Sequence, residues 1–111
     1  MAMKKTKNPT FTHKVEVRRP VDGGFKDESL TVRFLALPVD RLEEFNLFTT
    51  DGTTDYLKTI VVGWGDDYLG DDDKPIPFSD AERDELINDP PVRRALVETY
   101  AKALSGAKAG N

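Results

Sequence analysis

An α+β fold is predicted for this chain, an N-terminal antiparallel β-hairpin packed on about four short-to-medium α-helices, and three observations predict it. Between Phe11 and Ala36 two runs alternate apolar and polar residues, the period-2 signature of half-buried strands, with Pro20-Val21-Asp22-Gly23-Gly24 between them. Beyond Pro38 the apolar spacing changes to three and four residues, the period of a helix. Capping signals punctuate that second half, with Ser79-Asp80-Ala81-Glu82 and Asp89-Pro90-Pro91 as the clearest.

Taken in order, residues 1–10 are polar and lysine-rich and read as a flexible basic tail. Residues 11–106 form a single domain, and residues 107–111 a flexible end. In the first strand Phe11, His13, Val15 and Val17 share one face; in the second, Leu30, Val32, Phe34 and Ala36 do so. The two glycines of the connection allow positive φ, and the connection is expected to be longer than the tightest turns. A two-stranded hairpin is marginal alone, so the helices must cover its apolar face.

Asp40, with Glu43 three residues on, is expected to cap the first helix, whose apolar side is Leu42, Phe45 and Phe48. A polar turn over residues 49–54 ends it, with Thr54 capping the next helix. Leu57, Ile60, Val61 and Trp64 fall at i, i+3, i+4 and i+7, which predicts a helix running to Trp64 and stopped by Gly63 in a left-handed conformation. An acidic loop follows, held extended by Pro75 and Pro77 and pinned by Trp64 and Phe78, its aspartates pointing at water. The third helix spans about residues 80–88. The fourth is capped by Asp89, carries Val92, Leu96, Tyr100, Ala103 and Leu104 on one face, and ends at Gly106.

The totals bound the function. A chain of 111 residues with 38% hydrophobic and 32% charged residues suits one small domain expected in the cytoplasm, with no apolar run of membrane length and no signal-peptide core. With no cysteine, disulfides and thiolate chemistry are excluded, and one histidine leaves little for zinc or acid/base work. A net charge of −4 disfavours nucleic acid and anionic membranes as partners. Eight Lys/Arg against four acids through Leu37 give way to eight against 16 in the remainder. That asymmetry favours head-to-tail contact between copies, or one acidic face for a basic partner, where it is not simply solvated surface.

Asp66, Asp67, Asp71, Asp72 and Asp73 invite a metal reading, but counted from Asp66 positions three and five are Tyr68 and Gly70, and counted from Asp71 position six is Ile76. Neither frame matches a calcium loop, so the aspartates are read as a solvated turn. His13 reads as a half-buried structural residue, Ser79 as a cap, and neither Ser29 nor Ser105 has the context of an activated nucleophile. Neither catalytic residues, a metal, nor a cofactor are expected, and the chain is not expected to be an enzyme. Phe48, Tyr68 and Leu69, at element ends or in turns, are the candidate partner-binding residues, with Phe25 in a similar setting.

Several segments taken together carry a resemblance: the hairpin ending Val32-Arg33-Phe34-Leu35-Ala36-Leu37-Pro38, Val62-Gly63-Trp64, the acidic loop, Pro75-Ile76-Pro77-Phe78-Ser79, and the segment from Ala95 to Gly106 with its Ala-Leu-x-x-x-Tyr-x-x-Ala-Leu-x-Gly pattern. From about Phe11 onward the chain resembles the tail assembly chaperones of long-tailed bacteriophages and prophages. Lys74 stands where that pattern has glycine. The resemblance implies a small non-enzymatic protein of the host cytoplasm, absent from the mature virion. It implies binding to the tape measure protein, which is kept soluble and extended until tail tube subunits polymerise around it. It also implies a longer frameshifted form that recruits the tail tube protein. The rival reading is an acidic decoy that imitates DNA and inhibits a DNA-binding enzyme.

Overall fold

The computed structural model describes residues 1–106; the C-terminal stretch 107–111, expected to be a flexible end, lies outside the described residues. Residues 1–9 are exposed and belong to no helix or strand. Strands β1 (Thr10–Val21) and β2 (Gly24–Leu35) pair antiparallel along their full length, and the expected alternation holds, with Val15, Val17, Leu30, Val32 and Phe34 buried. Val21 pairs with Gly24, so Asp22-Gly23 alone closes the hairpin, with Gly23 at φ +79°. The connection is tighter than expected because Pro20 lies within β1. In the register opposite Phe25 its nitrogen faces away from β2, so the ladder loses no donor.

The first helix is much shorter than expected. α1 (Val39–Leu42) is one turn, its N-cap position is Pro38, and Asp40 is not a cap. The chain leaves the helix because Phe45 turns inward against Tyr56, while the Asn46 side chain accepts the Phe48 N–H at 3.1 Å. That side chain competes with helical backbone bonding, so Phe48 never joins the apolar side assigned to it. α2 (Thr50–Ile60) is capped by Thr49, whose hydroxyl accepts the Gly52 N–H at 3.0 Å. Thr54, expected as the cap, is a full turn inside. Gly52 is required by close approach, since a Cβ there would stand 1.9 Å from the Asn46 carbonyl oxygen.

The helix stops at Ile60, not at Trp64. Val61 turns extended, and β3 (Val61–Trp64) pairs antiparallel with β2 through Val32–Trp64, Arg33–Gly63 and Phe34–Val61, giving a three-stranded sheet in the order β1-β2-β3. Helix passes into strand with no connector, which is why helical spacing persisted through Val61, buried in either conformation. Gly63 is extended rather than left-handed and stops nothing. α3 (Asp80–Ile87) begins as expected, with Ser79 Oγ accepting the Glu82 N–H. α4 (Pro90–Leu104) lies alongside β1 and buries Val92, Ala95, Leu96 and Tyr100, while Leu104 is exposed; Gly106, at φ +78°, closes it. Asp89 holds the N-cap position without using its side chain as a cap.

The core centres on Tyr100. Its ring stacks on Phe11 at 5.9 Å, tilts on Phe34 at 5.4 Å and meets Tyr56 edge-on at 5.7 Å. Its hydroxyl donates to the Leu35 carbonyl at 2.7 Å and accepts from the Leu37 N–H at 2.9 Å, securing the two polar groups where β2 ends. Removing that hydroxyl leaves both buried groups unpaired, so Tyr100→Phe is expected to lower stability by about 1–3 kcal/mol in urea denaturation. Burial pushes the Tyr56 phenol up to about 12, with Tyr100 adding to it, and burial also raises Tyr100. Both protons are held more tightly folded than unfolded, so this stabilisation is complete below about pH 10 and lost toward pH 12. An alkaline titration followed by tyrosinate absorbance is expected to show fewer than three phenols ionising before unfolding.

Candidate functional site

The far half of the hairpin, the acidic loop and the corner between α3 and α4 enclose a groove of about 350 Å³. Its apolar lining includes Leu30, Tyr68, Leu69, Leu86 and Val92. Its floor is fixed by Arg19, whose guanidinium donates to the Glu28 carboxylate on β2 and to Asp89 at 2.7 Å. Asp89 is thereby drawn from capping α4 to tie that helix to β1. The hydrogen bonds that Arg19 donates to Asp89 and then to Glu28 raise its pKa above its usual value, and the same bond from Arg19 holds Glu28 below the ordinary carboxylate range.

Asp67 is exposed, as expected of the loop's aspartates, but it is not left to water alone. Asp67 accepts from the Thr31 N–H at 2.9 Å and the Thr31 hydroxyl at 2.8 Å, just beyond the point where Gly65 N–H bonds the Thr31 carbonyl. The carboxylate thus continues the β2–β3 ladder where the strand itself stops. Burial pushes its pKa up, but the two Thr31 bonds outweigh that and leave it below the usual range. The remaining loop is a small hairpin in which Ile76 N–H bonds Tyr68 O at 2.8 Å and Gly70 N–H bonds Lys74 O at 3.0 Å. Its left-handed residue is Asp73, one place before Lys74. Trp64 pins the base as expected, donating its indole N–H to the Ile76 carbonyl at 2.7 Å and meeting Tyr68 and Phe78 edge-on.

The three candidate contact residues separate. Tyr68 is half-buried against Trp64, and Leu69 stands 47% exposed at the groove's rim. Burial raises the Tyr68 phenol pKa, and Glu82 and Glu85 raise it further. Phe48 lies outside this groove and is fully exposed. Its neighbour Leu47 lines a separate shallow cleft of about 330 Å³ with Val97, Arg93 and Arg94 of α4. The connection carrying both is ordered: beside the Asn46 bond to Phe48 N–H, the Thr49 hydroxyl donates to Asn46 O and the Thr53 hydroxyl to Leu47 O, each at 3.1 Å. Phe25 is 63% exposed at the hairpin tip under the Arg18 guanidinium, 4.7 Å from its ring centre.

Sequence reasoning missed the Arg19–Asp89 pair and the Asp67–Thr31 bonds, since nothing in local spacing brings these residues together. His13 is half-buried and donates Nδ1–H to the Lys14 carbonyl at 2.8 Å. Among the described residues no three His, Asp or Glu side chains converge in a way that would hold a metal ion, and no helix is long and apolar enough to cross a membrane. Comparisons with protein-family models, with curated proteins and with solved structures returned no match.

Asp67→Asn is expected to cost about 0.5–1 kcal/mol near neutral pH, the low end for a charged acceptor because solvent competes. Since folding lowers this carboxyl's pKa, its contribution is present above about pH 4 and lost as pH falls through the folded value. Urea denaturation near pH 7 and near pH 3 is expected to show a smaller acid loss in the variant than in the wild type.

Proposed function

We propose that this protein is a tail assembly chaperone that binds the tape measure protein of a long-tailed phage, keeps it soluble and extended, and is displaced as tail tube subunits polymerise. The reading starts from the resemblance of the hairpin end, the Gly-Trp and Pro-x-Pro-Phe-Ser segments and the last helix. The observation that carries it further is Phe48, a fully exposed benzyl group presented by a turn whose backbone is fixed by Asn46 and Thr53. Rigid display of an aromatic side chain lowers the entropy lost on binding and suits it to an apolar stripe on a partner.

Leu47 and the cleft beside Val97 extend that apolar strip, while Arg93, Arg94 and Glu98 border it with charge of both signs. Arg93 is committed to the fold, donating to the Thr50 carbonyl and the Thr54 hydroxyl, and so holds α4 against α2 beneath the turn. A single such patch is small and binds weakly. Several copies along one elongated chain gain strength by multivalency and still leave one at a time, as displacement by tube subunits requires. Recruitment of the tube protein belongs in this reading to a longer frameshifted form, and the working compartment is the host cytoplasm.

Co-expression with the tape measure protein tests it. Wild-type chain is expected to raise the soluble yield of the tape measure protein and to co-purify in several copies per partner. Phe48→Ser, which removes no internal contact, is expected to keep wild-type stability and lose most of the co-purification. A one-to-one complex, or Phe48→Ser binding as well as wild type, would overturn the assignment of this surface.

A further inference from the structure

The groove between the hairpin and the α3–α4 corner has an unusual wall. β3 pairs with β2 only from Val32 to Phe34, and Asp67 takes the next donor, the N–H of Thr31. In an antiparallel strand N–H groups alternate in direction, so Ser29 and Asp27 point their backbone polar groups the same way as Thr31. Among the described residues no strand pairs with β2 on that side beyond Asp67. The groove is therefore lined in part by an open strand edge, which accepts an extended segment rather than a helix.

Its charge narrows the occupant. Glu28, Asp67, Glu85 and Asp89 line it with Arg19 as the one lining cation; Arg19 pairs with Glu28 and Asp89, and Lys26, just outside, with Glu28 at 3.5 Å, which leaves Asp67 and Glu85 as the lining acids without an ion pair among the described residues. Apolar surface is supplied by Leu30, Leu69 and Leu86. The complementary segment is extended, basic and partly apolar. Such a segment is present in this chain: Met1-Ala2-Met3-Lys4-Lys5-Thr6-Lys7, outside any helix or strand, with Met1 and Met3 fully exposed.

Reach decides between its own groove and a neighbour's. Ala36 N–H bonds the Pro9 carbonyl and fixes the chain as it enters β1. Ser29 and Asp27, the open edge donors, lie opposite Glu16 and Arg18, six and eight residues beyond Thr10, roughly 20 and 27 Å along the strand. Lys4, Lys5 and Lys7, six, five and three residues before Thr10, extend at most about 22, 18 and 11 Å from it, and the tail would also have to reverse direction, so these lysines cannot lie paired along their own Ser29–Asp27 edge. We propose that residues 1–7 of one copy add as a strand to the open β2 edge of a second copy, their lysines meeting its acid-rimmed groove, so that copies associate head to tail. This does not rest on the tape measure reading, since groove and Phe48 turn are separate surfaces.

Sedimentation equilibrium of the full chain up to about 0.5 mM, where even millimolar contacts register, tests the proposal. Wild type is expected to associate with concentration, more weakly as salt screens the charges. Reversing Lys4, Lys5 and Lys7 to Glu is expected to weaken association at least about tenfold, and Ser29→Pro, which removes the edge donor, to do likewise. Because Ser29→Pro also alters the backbone of β2 itself, a chain carrying Glu85→Lys and Leu69→Lys serves as a second groove variant. Mixed with the lysine-reversed chain, it is expected to regain hetero-association that neither shows alone.

Monomeric wild type overturns the proposal, as does undiminished association of the lysine-reversed chain. A spin label at residue 3 that broadens the Ser29 amide in monomer at low concentration would assign the groove to the copy's own tail and equally overturn it. Loss of tape measure binding by the groove variants with self-association intact would assign the groove to that partner instead, with the same consequence.

Discussion

The Tyr100 hydroxyl is the contact on which the rest of the arrangement depends. β2 is the central strand, and where it ends at Leu35 its backbone must leave the ladder inside the core. A phenol from the last helix serves both the Leu35 carbonyl and the Leu37 N–H, so α4 can lie along β1 without leaving polar groups unpaired. Around that oxygen the rings of Phe11, Phe34 and Tyr56 bring β1, β2 and α2 to one point. Sheet and helices are thereby set in register by one side chain that is apolar over its ring and polar at its tip.

A second set of contacts fixes the opposite end. Arg19 ties β1 to β2 through Glu28 and to the start of α4 through Asp89. Asp67 extends the edge of β2 beyond the strand that covers it. These are partly exposed charge-assisted bonds, each of modest strength, yet they set geometry that apolar packing alone leaves loose. They leave a groove with an acidic border, whereas Phe48 stands on a separate ordered turn. A small domain thus presents two surfaces of different character, an acid-bordered groove along a strand edge and an exposed aromatic turn.

The sequence by itself determined the alternating hairpin faces, the Ser79 cap, the apolar stripe of α4 through Tyr100, the Gly106 stop and the pinning of the acidic loop by Trp64 and Phe78. These follow from periodicity and local hydrogen bonding, which act within a few residues. Tertiary structure decided the rest. Val61–Trp64 became a strand because β2 had an open edge beside it, a demand no helical wheel contains. Asp89 gave up its cap role to Arg19 across 70 residues of chain, and Asp67, though exposed, bonded to Thr31, because both partners are distant in sequence and only folding brings them within reach. Phe48 was legible as a candidate contact, but its full exposure was decided by Asn46 and Gly52, where the close approach of two backbone segments breaks the helix that local spacing favoured.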